Sequence, residues 1–441
     1  MTKCQPTEAD IDTLGEAKIP SPLPFGRFID DSQTLNMYIC QEMLEDESST
    51  PMYYAFEEAG PRERIYFDPS KTKCAIVTCG GLCPGINDVI RAIVMEAYHN
   101  YGISSVLGIR FGLQGFIPKY GHEVWELSHT TVSEIHEFGG TILGSSRGPQ
   151  PPDEIVDALD RMNVSLLFMI GGDGTMKAAS AIAEEIKHRK NKISIIGIPK
   201  TIDNDIYLVS RTFGFDTAVT KATEAIRCAH IESLGAPNGI GMVKLMGRES
   251  GFIAAEASLA LKDVNFVLIP EDRFELYGDN GFLNKLKKRI SNRGHAVIVV
   301  AEGAGQDIYR KEMQENNIQL ATDPSGNPIL GDICSLLQKK IKDFFQEHNI
   351  PITLKFIDPS YIIRSIPANA NDRVHCGFLG QNAMHAAMAG KTDMVISKLH
   401  DRFIHLPLHL VTQKRRKLNI YSNYWRSVLE STGQPLTLRN E

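Results

Sequence analysis

The sequence predicts an α/β protein made of two similar lobes, each a mainly parallel sheet covered by helices, with the active site in the cleft between them. Three observations carry this. Short, continuous apolar runs alternate with segments of helical periodicity. The runs are apolar along their whole length, so both faces of each strand are buried, as parallel sheets require. Glycine-rich segments fall at the ends of the runs, where open parallel sheets bind ligands.

Residues 1–72 come first and read as an extension. Prolines and acidic clusters break any periodicity, yet Met37, Tyr38, Ile39, Met43, Tyr53, Tyr54 and Phe56 give it apolar surface to pack on a core or a partner subunit. From Lys73 the alternation begins. Cys74–Val77 is a strand, followed by a glycine turn and a helix through Val89, Ile90, Ile93 and Val94. Ser105–Ile109, Leu166–Ile170 and Ile193–Ile198 are further strands, with an alanine-rich helix over 176–188. The theme repeats with strands at 240–245, 265–269, 296–300 and 353–357. Helices are expected at 215–231, 250–261, 280–291, 331–347 and 379–389. The boundaries expected are one lobe over 73–212, a second over 213–390, and a segment over 391–441 returning to the first lobe.

The chain has 441 residues, 42% hydrophobic and 23% charged, ample for a soluble enzyme of two or three domains. Its net charge of −6 excludes a general nucleic-acid binder, which needs a basic surface. Cys79 and Cys83 lack a second close pair for zinc, so the scattered cysteines read as inert thiols in a reducing cytosol. No apolar segment follows Met1, and no run reaches the roughly 20 residues that span a bilayer. A cytoplasmic protein with no membrane partner is expected.

Several strand ends carry chemistry. Gly80-Gly81-Leu82-Cys83-Pro84-Gly85 opens a helix and can expose amides to an anion, although a tight turn without a ligand has the same pattern. Gly171-Gly172-Asp173-Gly174-Thr175 lets the chain pass under a phosphate and offers Asp173 to Mg²⁺. Pro199-Lys200-Thr201-Ile202-Asp203-Asn204-Asp205 adds two carboxylates. An alcohol attacking phosphorus must lose its proton, and either Asp203 or Asp205 could take it. Gly144-Ser145-Ser146-Arg147, Met246-Gly247-Arg248, Glu302-Gly303 and Arg364 supply hydroxyls, guanidinium groups and a further carboxylate. Together they point to phosphoryl transfer onto a hydroxyl.

In their order these segments resemble the 6-phosphofructokinases over about residues 73–400. The resemblance implies ATP as donor, Mg²⁺ as cofactor and fructose 6-phosphate as acceptor. It implies Asp203 as base, with Thr201, Asp205 and Arg248 supporting the reacting centre and Asp173 positioning the metal. Gly80, Gly81, Ser146, Arg147, Gly172, Gly174, Thr175 and Lys200 would line the donor site. Met246, Gly247, Glu302, Lys355, Tyr361 and Arg364 would join Thr201, Asp203, Asp205 and Arg248 around the sugar phosphate. A homo-oligomer, tetramer before dimer, and allosteric control are expected of the family.

Departures at four positions stand out. Lys200 replaces the usual Gly of ATP enzymes and matches pyrophosphate-dependent relatives, which also carry Asp where Gly174 stands. An Asp there would place bulk and charge where the α-phosphate of ATP must sit. The pair resembles the ATP-using branch of plants, trypanosomatids and some bacteria. Tyr361 stands for a common His. Lys355 and Gly239 stand for common Arg residues, and Lys loses the planar fork. The alternatives are a pyrophosphate-dependent enzyme and a non-catalytic subunit that senses nucleotide or sugar phosphate.

Overall fold

A buried ion network anchors the N-terminal segment. In the computed structural model, which describes residues 8–24, 26–37, 54–316 and 329–440, four short strands form there. β1 (Ile19–Pro20), β2 (Thr34–Asn36), β3 (Ala55–Glu57) and β4 (Arg64–Ile65) pair antiparallel, β1 with β4 and β2 with β3. Glu57 binds Arg62 at 2.5 Å, Lys391 at 3.0 Å and Nδ1 of His405 at 3.0 Å. Burial opposes its ionisation, but the His405 hydrogen bond and the charges of Lys391 and Arg62 hold its carboxyl at about 2. Phe56 and Ile65 are buried. Of the apolar residues expected to pack, Tyr38, Ile39, Met43 and Tyr53 lie outside the described residues.

The chain divides into two compact units. The first comprises Met1–Thr201, Ile206–Gly214 and Ser365–Arg415; the second comprises Ile202–Asp205, Phe215–Arg364 and Arg416–Glu441. The first begins its α/β pattern with β5 (Lys73–Thr78), α1 (Ile86–Glu96), β6 (Ser105–Ile109), β7 (Val124–Leu127), α2 (Pro152–Arg161), β8 (Leu166–Gly171), α3 (Asp173–Arg189) and β9 (Ser194–Pro199). The second holds α4 (Phe215–Leu234), β10 (Gly239–Leu245), α5 (Phe252–Leu261), β11 (Phe266–Leu268), α6 (Phe282–Arg293), β12 (His295–Ala301), α7 (Gln306–Glu315), α8 (Ile333–Glu347) and β13 (Thr353–Ile357). Then α9 (Ser360–Ser365) leads into α10 (Ala370–Met388), β14 (Met394–Leu399), β15 (Arg402–Pro407) and α11 (Leu408–Val411), and α12 (Asn423–Thr432) follows.

The first unit's sheet has seven strands, ordered β15-β14-β9-β8-β5-β6-β7. The five central strands are parallel, and β15 and β7 close the edges antiparallel. Every residue of β8 and β9 is buried, as helices on both faces demand. The second unit's sheet has four parallel strands, ordered β11-β12-β10-β13. Its core gathers Ile240, Phe282, Ile298, Leu337 and Phe345.

The structure corrects the expected boundaries. α10 begins at Ala370, well before 379, and belongs to the first unit. It lies so close to α1 that a side chain at Gly380 would meet Ala92. Residues 391–415 join the first unit, but 416–441 belong to the second. There Trp425 is buried and the Gln434 side chain accepts the Val267 N–H at 2.7 Å. Cys228 is exposed, whereas Cys74, Cys79, Cys83, Cys334 and Cys376 are buried and reduced. Burial pushes the Cys79 and Cys334 thiols up to about 12, so they stay protonated. Among the described residues no helix is long and apolar enough to cross a membrane.

Candidate active site

In the first unit the chain runs from β5 outward to β6 and β7, then returns to lay β8 on the other side of β5. The carboxyl ends of β5 and β8 thus flank a topological switch point, where loops diverge and leave room for a ligand. Both glycine motifs sit there. The Cys79 N–H donates to the Ile170 carbonyl at 2.9 Å, holding the two loops side by side. Gly80 adopts φ +83°, and its N–H donates to the Ser146 carbonyl at 3.1 Å. The Ser145 hydroxyl returns a bond to the Gly80 carbonyl at 2.6 Å. The Gly144–Arg147 loop is therefore tied to the Gly80–Gly81 loop, and Arg147 is exposed beside it.

The other loop opens α3. Gly172 is the residue before the helix, and a side chain at Gly171 would collide with Thr175. Nothing lies within 4 Å of where a Cβ on Gly174 would stand. This free space at a helix N-terminus suits an anion. Asp173 starts the helix, with its carboxylate 3.0 Å from the Lys177 ammonium and 3.8 Å from the Arg415 guanidinium. Arg415 carried no signal in the sequence, because it lies far from every motif.

Lys200 continues β9 and is buried at 5% exposure. Its N–H donates to the Gly171 carbonyl at 2.8 Å, and its Nζ donates to the Gly81 carbonyl at 2.8 Å. One residue thus braces both phosphate-type loops. The Thr201 carbonyl accepts the Thr212 hydroxyl at 2.6 Å.

The second unit builds a separate cluster. Asn204 turns the chain at φ +56°, a left-handed conformation that Asn tolerates. Asp203 is half-buried, and its Oδ2 accepts the Arg248 N–H at 3.4 Å. Its carbonyl accepts the buried Ser250 hydroxyl at 3.0 Å. The Asp205 carbonyl accepts the Arg416 N–H at 2.9 Å. Gly247 has φ +129°, and any side chain on it would strike the Ser250 carbonyl. The loops after β10 and β12 touch without side chains: the Gly303 N–H donates to the Gly247 carbonyl at 3.1 Å.

Glu302, Arg248 and Arg364 come together at the carboxyl ends of β12, β10 and β13. Burial raises the Glu302 carboxyl above its ordinary value, against the opposing charges of Lys244, Arg364 and Arg248. Met246, two residues before Arg248, is buried. Tyr361 is 79% exposed, with the Arg364 guanidinium 4.9 Å from its ring centroid. Lys355 does not join this group. It pairs with Gly241 in mid-strand, and its Nζ lies 4.0 Å from Glu232. Lys244 and Asp358, 3.1 Å apart, do belong to it and were missed. A lone lysine at the end of an apolar run looks like ordinary strand edge.

Residues 73–387 match the phosphofructokinase family. An ATP-dependent 6-phosphofructokinase of Borreliella burgdorferi is 47% identical, over 98% of this chain and 97% of that one. One from Trypanosoma cruzi is 45% identical, over 85% and 76%. An Arabidopsis thaliana ATP-dependent 6-phosphofructokinase 1 is 45% identical, over 92% and 84%. The fold is shared with a pyrophosphate-dependent phosphofructokinase from Marinobacter aquaeolei, at TM-score 0.65 and 19% identity over 82% of this chain and 91% of that one. The motif order, the sheet topology and these likenesses agree: the chain belongs to the phosphofructokinase family.

Proposed function

We propose that the protein is an ATP-dependent 6-phosphofructokinase. It transfers the γ-phosphoryl of ATP to the 1-hydroxyl of fructose 6-phosphate, giving fructose 1,6-bisphosphate and ADP. The observation that carries the donor assignment is the empty space around Gly174. A nucleotide α-phosphate needs that volume, and relatives named for ATP use are 44–47% identical to this chain.

The donor's phosphates are held by the amides of Gly81, Asp173 and Gly174, with Gly80, Gly172, Thr175, Ser146 and Arg147 lining the site beside them. Magnesium fits the residues present: one half-buried carboxylate, Asp173, supplemented by phosphate oxygens, is a usual Mg²⁺ environment. Asp173 would hold the ion, which neutralises phosphate charge. Among the described residues no group of three or more acidic, His or Cys side chains forms a resident metal cage, in keeping with an ion that arrives with the nucleotide.

Asp203 takes the proton from the 1-hydroxyl as its oxygen bonds to the γ-phosphorus and the bond to the β-phosphate oxygen breaks. The Arg248 N–H orients that carboxylate, and the Arg248 guanidinium offsets charge on the transferring group. Asp205 and Thr201 shape the turn that presents it. Met246, Gly247, Glu302 and Arg364 hold the sugar phosphate. Tyr361 and Lys355 contribute through a homo-oligomeric partner or not at all, and a tetramer is the assembly we favour. The cytoplasm is the proposed location.

Lys200 supports a pyrophosphate-dependent reading by residue type. Its ammonium, however, is spent on the Gly81 carbonyl inside the fold, which gives it a bracing role in either case. Purified protein incubated with Mg²⁺, fructose 6-phosphate and either ATP or pyrophosphate tests the assignment. Turnover with pyrophosphate alone would reverse it.

A further inference from the structure

We infer that Lys244 and Asp358 form a positioning pair for the sugar-phosphate subsite, aiming Arg364 and setting a cation beside Glu302. This rests on the reading above that Glu302 and Arg364 bind fructose 6-phosphate.

The placement follows from strand register. Val243 of β10 pairs with Ile357 of β13, so Lys244 is level with Asp358 just past the strand end. Lys244 also pairs with Val300 of β12, two residues before Glu302. Every residue of β10 except Lys244 is buried. The chain crosses from β12 to β13 on the far side of β10, so the pair sits where the loops of three parallel strands converge.

Each group of the pair has a second task. Oδ2 of Asp358 binds the Lys244 ammonium at 3.1 Å, while Oδ1 accepts the Ser360 N–H at 3.1 Å and the Ser360 hydroxyl. Asp358 thereby fixes the start of α9, the single short helix that carries Arg364. Burial alone would raise the Asp358 carboxyl. The Ser360 bonds and the Lys244 ammonium hold it below its ordinary value.

Lys244 also faces Glu302. The Glu302 N–H donates to the Leu245 carbonyl at 2.9 Å, next to Lys244 in the chain. Of the cations that oppose protonation of buried Glu302, Lys244 is the foremost, ahead of Arg364 and Arg248; Asp358 acts the other way. Cys334 of α8 completes the surroundings of Lys244 and is a neutral thiol. An ionised Glu302 accepts hydrogen bonds from sugar hydroxyls; a protonated one loses that capacity in part.

Steady-state kinetics at saturating ATP, across the neutral and mildly acidic range, test this. Lys244→Met is expected to raise the KM for fructose 6-phosphate about tenfold or more, with kcat and the KM for ATP changed far less. It should also move the acid limb of kcat/KM to higher pH, because a cation beside Glu302 is gone. Lys244→Arg should restore the limb. Asp358→Asn should raise the same KM but move the limb downward, since it removes a negative charge. It also keeps the test open if Lys244→Met does not fold. An unchanged KM and an unmoved limb in a folded Lys244→Met, or a loss of thermal stability alone, would overturn the inference. Arg364→Ala measured alongside separates the failures. If it leaves the KM for fructose 6-phosphate intact, the subsite reading falls, and the pair's role with it.

Discussion

The Lys200 ammonium donates to the carbonyl of Gly81 at 2.8 Å, across 119 residues of sequence, while the Lys200 N–H binds Gly171. A buried lysine thus cross-braces two loops that would otherwise be flexible glycine turns. Lys200→Met keeps the stem but removes the bond. The KM for ATP should rise about tenfold, because a loop misplaced by about 1 Å costs up to a hundredfold. The KM for fructose 6-phosphate should change much less. Initial-rate kinetics in both substrates check this.

Asp203 offers a carboxylate oriented by the Arg248 N–H. Asp203→Asn preserves shape and removes the proposed base. kcat should fall by about 10²–10⁴, the usual worth of a general base. Fructose 6-phosphate binding, followed by calorimetry, should persist. Turnover within about tenfold of wild type would assign the proton to another group.

Gly174 faces empty space, so an Asp side chain there meets no atom of the protein. It also sits in the first turn of α3, where an anion is favourable by about 0.3–1 kcal/mol. Gly174→Asp should therefore fold as well as wild type or better. Its KM for ATP should rise steeply, since the carboxylate would repel phosphates bound at the proposed donor site. Thermal unfolding and ATP kinetics measured on one preparation separate the two effects.

His385 is buried, with Nδ1 2.8 Å from the Tyr101 hydroxyl. Burial, helped by the charges of Arg62 and His405, lowers its titration to about 4. An unfolded His titrates near 6.5, so the unfolded state binds the extra proton as the pH falls. The stability from neutral His385 is whole above about pH 6.5 and is lost towards about pH 4. A His385→Gln variant lacks this dependence. Between about pH 7 and pH 5 the wild type should lose roughly 2 kcal/mol that the variant keeps. Urea unfolding at both pH values measures it.

The parts legible in the sequence were those where one physical rule acts alone. Ser105–Ile109 is a short apolar run and forms a strand at the expected bounds. The hairpin of β14 and β15 escaped notice because Ser397, Lys398 and His405 interrupt its apolar pattern. His405 is tolerated there because Glu57, from the N-terminal segment, binds its Nδ1, and no local pattern reports that partner. The catalytic-type motifs were legible because glycine, Asp and Asn are required by backbone and chemistry together, as at Gly80 and Asn204. Lys244, Asp358 and Arg415 were not, because only the strand register and the fold of each unit bring them to a site. The assignment of residues 416–441 was likewise hidden, since Gln434 finds Val267 only in three dimensions.

The most direct measurement is formation of fructose 1,6-bisphosphate by the purified protein with Mg²⁺ and fructose 6-phosphate, comparing ATP with pyrophosphate. The open space at Gly174 predicts product with ATP and none with pyrophosphate. Product with pyrophosphate and not ATP would contradict the account and place donor choice on Lys200.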